Sequence, residues 1–118
     1  MRKQIAAANW KMNLTYQDAE KLLDDILKAN IEVGPNQQVL FAVPFPYLIM
    51  TKSEVDAETG YAVAAQNCHH KASGAFTGEV SVDMLRSIGV RPHARVDGHN
   101  DGDLFAPQRQ RCGQSKDG

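Results

Sequence analysis

Long hydrophobic runs, an excess of charge of one sign and closely spaced cysteines are all missing from this 118-residue sequence. Its longest apolar stretches, 39–46 and 61–65, have the length of a strand, whereas a membrane-spanning helix needs about 20 residues. The net charge of -1 gives little electrostatic attraction for nucleic acid. The apolar segment 5–8 is too short for a secretory signal, and Cys68 and Cys112 lie too far apart for a C-x-x-C pair. We therefore expect a cytoplasmic protein with free thiols that binds neither a membrane nor nucleic acid.

Motifs for metal, nucleotide and nucleophilic chemistry are also missing. No P-loop, no G-x-G-x-x-G and no G-x-S-x-G occurs in the sequence. Cys68, His69 and His70 are metal-ligand types, but three consecutive residues rarely converge on one ion, so no metal site is expected. The segment 97–102 begins like a calcium loop, yet the twelfth position is Gln108, where a bidentate glutamate is required.

The patterned part of the chain alternates strands with helices up to residue 90. Apolar runs and helical spacing predict, in order, strand 5–10, helix 16–29, strand 39–43, helix 47–55, strand 61–67 and a helix from Ser81 to Gly89. The short apolar first strand is predicted to be buried on both faces. Thr15 and Asp18 have N-cap and N3 spacing, and Ser81 is a second N-cap. Three successive βα units indicate an α/β fold with parallel strands.

Residues 91–118 lack any such pattern. They contain four glycines, two prolines and nine charged residues, and their few apolar residues show neither period 2 nor period 3.6. A segment of this composition has little to bury. The sequence therefore predicts a boundary near residue 90, followed by a tail that is disordered or translated out of frame; the other two reading frames of the DNA would test the latter.

Candidate functional groups follow the first predicted strand, because loops at the carboxyl ends of parallel strands carry the sites of α/β proteins. Asn9 and Lys11 lie two residues apart, and on an extended segment such residues point to the same side. An ammonium and an amide at this place are able to bind one anion, such as a phosphate or a developing enolate. The alternative is a solvated lysine beside a turn, with Trp10 as a packing residue.

Four motifs together resemble the triosephosphate isomerase family. They are Asn-Trp-Lys-Met-Asn at 9–13, Pro-Phe-Pro at 44–46, Ala-Gln-Asn-Cys at 65–68 and Gly-Ala-Phe-Thr-Gly-Glu-Val-Ser at 74–81. The resemblance covers residues 1–90, with Ala8 where the family usually has glycine. It implies the first three βα units of a (βα)8 TIM barrel, which is incomplete in this chain and is followed by the unpatterned tail.

The resemblance also implies a function. The family interconverts dihydroxyacetone phosphate and D-glyceraldehyde 3-phosphate through an enediolate, in glycolysis and gluconeogenesis, as a cytosolic homodimer without a metal or organic cofactor. By this resemblance Lys11 neutralises the substrate's phosphate and the enediolate, and Asn9 lies beside it.

The loop before the third helix is long, rich in small residues and carries one aromatic side chain. Such loops either move over a site or dock into a partner. The resemblance implies that the loop 69–79 inserts into a second subunit, with Phe76 packing at the interface, Thr77 reaching toward the partner's site and Glu79 anchoring the loop.

The family's other catalytic groups are not matched. Its electrophilic histidine belongs to a Gly-His-Ser-Glu-Arg-Arg motif, of which only Gly98 and His99 are present, two positions late. His99 is therefore the candidate electrophile, although Pro92 and Arg95 do not suit the buried strand that should precede it. A complete barrel needs about 250 residues. We expect an isomerase by family that is inactive as this chain alone; the alternative is a non-catalytic fragment that at most binds anions weakly or associates with other subunits.

Overall fold

The computed structural model describes residues 2–90, in which strands and helices alternate as the sequence predicts. The elements are β1 Gln4–Asn9, α1 Tyr16–Lys28, β2 Gln37–Val43, α2 Leu48–Val55, β3 Tyr61–Ala65 and α3 Val82–Ser87, with a 3-10 turn Phe45–Tyr47 before α2. The predicted third strand is two residues too long, and the predicted second helix begins one residue too early, because Tyr47 belongs to the 3-10 turn. The predicted tail, 91–118, lies outside the described residues.

The strands form one parallel sheet in the order β1-β2-β3. The register places Asn9, Ala42 and Ala64 side by side near the carboxyl ends of the three strands. Parallel neighbours need a crossover connection, and α1 and α2 lie in those connections. This arrangement confirms the predicted fold class, the N-terminal βα units of a TIM barrel.

The main hydrophobic core lies between one face of the sheet and the helices. Phe41 and Val43 from β2 and Val63 from β3 are at most 5% exposed. The helices contribute the fully buried leucines Leu23, Leu48 and Leu85. Burying one leucine side chain contributes about 1.5–3 kcal/mol relative to leaving it in water. These contacts hold α1, α2 and α3 against the sheet and so set where the loops at the strand ends lie.

Helix α1 shows which apolar positions the core selects. Ala19 and Leu23, four residues apart, are fully buried, whereas Leu22 is 39% exposed. Leu22 lies at the edge of the buried stripe and is therefore left partly in contact with solvent. Asp24 and Lys28 form an ion pair on the outer surface, 2.7 Å apart.

The first strand is not buried on both faces, contrary to the prediction. Within residues 2–90, β1 pairs with β2 alone, and Ala6 and Ala7 are exposed. A strand is buried on both faces only if a layer covers each face and a strand flanks each side. An apolar run shows that a strand suits burial, but the surrounding elements decide whether it occurs.

The two predicted N-caps differ in the structure. The Ser81 hydroxyl accepts a hydrogen bond from the Met84 backbone N–H at 3.2 Å, which confirms the cap of α3. Thr15 has the extended backbone of an N-cap, but its side chain makes no capping hydrogen bond. The capping box predicted for Thr15 and Asp18 is therefore wrong, since only the Thr15 carbonyl serves the helix, accepting from Ala19 N–H at 2.9 Å.

This difference predicts unequal stability effects. Ser81→Ala removes a capping hydrogen bond and is expected to lower the free energy of unfolding by about 1 kcal/mol. Thr15→Ala removes no such bond, so its effect is expected to stay within about 0.5 kcal/mol. Urea denaturation of both variants measures this, and equal losses would contradict the assignment.

Candidate functional site

The candidate site lies at the carboxyl end of the sheet, where the loop from β1 to α1 crosses the ends of β2 and β3. Asn9 is the last residue of β1, and Gln66 follows β3 directly. Trp10 anchors this loop by packing edge-on against Phe41, with ring centroids 6.1 Å apart. Its backbone N–H donates to the Ala42 carbonyl at 3.0 Å, which ties the loop to β2.

Lys11 adopts a left-handed backbone conformation with φ 55°. This conformation costs a non-glycine residue about 1–2 kcal/mol, so the surrounding structure must hold it. The Asn9 side-chain oxygen accepts a hydrogen bond from the Lys11 backbone N–H at 3.0 Å. The prediction that both side chains extend from one straight segment is therefore wrong, because the chain turns at Lys11 and Asn9 shapes that turn.

Gln66 supports the same turn from the opposite side. Its Nε2 donates one hydrogen bond to the Lys11 carbonyl and one to the Ala42 carbonyl, each at 3.0 Å. A primary amide carries two N–H donors, so both are used. The Lys11 peptide groups are thus held by side chains from β1 and from the residue after β3.

The rest of the β1–α1 loop is also fixed by hydrogen bonds. Asn13 Nδ2 donates to the Trp10 carbonyl at 2.9 Å, and the Tyr47 hydroxyl donates to the Leu14 carbonyl. Leu14 is a second residue with positive φ, at 73°. The loop therefore has a defined shape although its side chains are exposed.

The Lys11 ammonium projects from this fixed backbone and is exposed. It forms no salt bridge with any residue of the described range 2–90. An exposed cation on a rigid loop at the end of a parallel sheet is able to bind an anion without first breaking an ion pair. The Asn9 side chain is also exposed.

Comparison of the sequence with known proteins gives one family. A family model described as triosephosphate isomerase matches residues 4–99. The chain belongs to the triosephosphate isomerase family. The match extends nine residues beyond residue 90, where the sequence predicts that the resemblance ends.

Curated triosephosphate isomerases are similar to the same part of the chain. The protein of Bacteroides fragilis is 43% identical over 91 residues, which are 77% of this chain and 36% of the relative. The corresponding values are 38% over 87 residues for Aquifex aeolicus (74% and 34%) and 44% over 90 residues for Flavobacterium johnsoniae (76% and 35%). The chain thus spans about a third of the length of these relatives.

The loop that the triosephosphate isomerase resemblance singled out folds partly on itself. Phe76 packs against the imidazole of His69, with ring centroids 4.3 Å apart, and is 37% exposed. The loop closes where the Glu79 backbone N–H donates to the Phe76 carbonyl at 3.0 Å. Thr77 is exposed at the tip. The roles predicted for Phe76, Thr77 and Glu79 at a subunit interface stay predictions.

Cys68 and the two histidines after it form no metal centre in the described part of the chain, where no group of three potential ligands converges. His69 is buried, and its Nδ1 accepts from the Lys71 backbone N–H at 3.1 Å. Burial raises the pKa of the Cys68 thiol. The predicted free thiol of Cys112, the calcium-like segment 97–102 and the candidate electrophile His99 lie outside the described residues.

Sequence reasoning placed Asn9 and Lys11 at the site and missed Gln66. The local signal was an amide side chain directly after an apolar strand. Its partners lie 55 and 24 residues away in the chain, so only the sheet brings them together.

No helix in the described residues is long and apolar enough to cross a membrane.

The state of Cys68 gives a prediction for thiol reactivity. Because the thiolate is the reactive form, burial and a raised pKa both slow alkylation. In a Cys112→Ser background Cys68 is the sole cysteine, and iodoacetamide at pH 8 is expected to modify the folded chain about tenfold more slowly than the urea-unfolded chain. Equal rates would show that Cys68 is not buried in solution.

Proposed function

We propose that this chain forms the phosphate-binding corner of a site that interconverts dihydroxyacetone phosphate and D-glyceraldehyde 3-phosphate. The observation that supports this most is the Lys11 ammonium, exposed and without a salt bridge within residues 2–90, on a backbone held by Asn9 and Gln66. The proposed reaction is that of the triosephosphate isomerase family. Lys11 lies at the carboxyl ends of the strands, where the active sites of such barrels are found.

In the proposed reaction Lys11 neutralises negative charge on the substrate. A phosphate dianion and a developing enediolate oxygen are both stabilised by a positioned ammonium in a fixed loop. Asn9 contributes by setting the turn and by offering its amide nitrogen, because its oxygen already accepts the Lys11 N–H. The chemistry needs proton transfer alone, so the proposal includes no cofactor and no metal.

Proton transfer itself is proposed to depend on groups beyond those described. His99 is the candidate electrophile by its short motif match, and no glutamate base has been assigned in this chain. A positioned acid or base contributes about 10²–10⁴-fold to the rate. The proposed role of the 118-residue chain alone is therefore anion binding, with the isomerase reaction belonging to the complete cytosolic enzyme of glycolysis and gluconeogenesis.

The anion site is tested by titrating the full chain with inorganic phosphate and following the Lys11 backbone amide by NMR. Lys11→Met is expected to weaken binding at least about tenfold, because a charge-assisted hydrogen bond is lost. Lys21→Met removes an exposed lysine of α1 and serves as the control, with unchanged affinity expected. If both variants bind phosphate like the unaltered chain, Lys11 is not the anion site.

A coupled enzyme assay tests whether the 118-residue chain catalyses the isomerisation. The purified 118-residue chain is expected to show no isomerase rate above that of buffer with either triose phosphate, because no glutamate base is assigned in this chain and a positioned acid or base contributes about 10²–10⁴-fold to the rate. A rate like that of a complete family member would contradict this part of the proposal and turn attention to His99.

A second candidate function, association with another copy, is supported by exposed apolar side chains. Met12 is 96% exposed and Phe76 37%, and both lie on loops that connect a strand to the next helix. We propose that loop 69–79 docks on a second copy as in the family's homodimers. Thr77→Arg is expected to reduce the dimer fraction in sedimentation velocity, whereas Gln17→Arg on α1 leaves it unchanged; equal behaviour of both variants would exclude the loop as the interface.

A further inference from the structure

Gln66 makes the contacts that connect the ends of the three strands. It follows β3, and its side-chain amide reaches the carbonyl of Ala42 in β2 and the carbonyl of Lys11 beyond β1. Both distances are 3.0 Å, within the normal range for N–H to oxygen hydrogen bonds. The Gln66 side chain is half-buried, and its hydrogen bond to the Ala42 carbonyl is partly shielded from competing water, whereas its hydrogen bond to the Lys11 carbonyl is exposed.

The Lys11 backbone needs such support because its conformation is unfavourable for any residue with a Cβ atom. The Lys11 backbone N–H donates to the Asn9 side chain, and the Lys11 carbonyl accepts from the Gln66 side chain. Both backbone groups are thus hydrogen-bonded to side chains. Asn9 ends β1 and lies only two residues from Lys11, so its hydrogen bond closes a local turn. Gln66 differs because it follows β3 and lies 55 residues away in the chain, so its hydrogen bond ties the turn to a second strand of the sheet.

We propose that Gln66 is the positioning residue for Lys11: its amide holds the left-handed turn that directs the ammonium to the anion site. The effect on anion binding rests on the proposed function, whereas the effect on the turn does not. The anion touches Lys11, and Gln66 acts only through the Lys11 carbonyl.

Two substitutions in the full chain separate positioning from general stability. Gln66→Leu keeps the approximate volume and removes both donors, and Gln66→Glu keeps the shape but places carboxylate oxygens against two carbonyl oxygens. Gln38→Leu is the matched control, since Gln38 is also half-buried, lies on β2 and makes no side-chain hydrogen bond with another described residue. Urea midpoints of all three variants report stability independently.

The direct measurement is the NMR signature of Lys11, namely its amide chemical shift and the coupling between its amide and α protons. The affinity of each chain for inorganic sulfate is measured in the same titration. Both Gln66 variants are expected to change the Lys11 signature and to weaken sulfate binding about tenfold, while Gln38→Leu changes neither. Unchanged Lys11 signals in a folded Gln66 variant would overturn the proposal, whatever the stability.

Two further outcomes are distinguishable. If the unaltered chain binds no sulfate but the Gln66 variants still change the Lys11 signature, positioning is supported and the anion-binding function fails. If neither Gln66 variant folds, nuclear Overhauser contacts in the unaltered chain decide: the Gln66 side-chain amide protons must lie close to the Lys11–Met12 peptide, and their absence would overturn the proposal.

Discussion

The parallel pairing of β2 with both β1 and β3 is the constraint on which the described structure depends. It aligns the carboxyl ends of three strands that are separated by long stretches of chain. One face of this sheet receives the helices through Phe41, Val43 and Val63, so the same strands that build the core also fix the loops. Without this register, Asn9 and Gln66 would not both lie within hydrogen-bond distance of the Lys11 backbone.

The site is a consequence of that alignment. Lys11 occupies an unfavourable conformation, and the hydrogen bonds from Asn9 and Gln66 offset its cost. Strained residues that are held in this way concentrate where a side chain must be presented in one direction. The outcome is an exposed ammonium with a rigid attachment, which distinguishes Lys11 from a lysine on a solvated helix face.

Local patterns predicted the order of elements because apolar runs, helical spacing and turn residues are encoded over a few neighbouring positions. The same patterns identified the family, since four motifs recur in order along residues 9–81. They failed where a distant element decides the result. The exposure of β1 depends on what flanks the sheet, and the role of Gln66 depends on a partner 55 residues away. The turn at Lys11 escaped prediction because lysine does not favour positive φ and only the hydrogen bonds around it make that conformation stable.

The chain matches about a third of each curated relative, yet that third contains a complete local unit of strand ends, turn and lysine. We therefore propose that anion recognition is built into the first three βα units. A crystal structure of the chain grown with inorganic phosphate tests this claim most directly. We expect a phosphate ion within hydrogen-bond distance of Lys11 Nζ, with Lys11 at positive φ and the Gln66 amide donating to its carbonyl. An extended Lys11 with phosphate bound elsewhere would contradict the proposal.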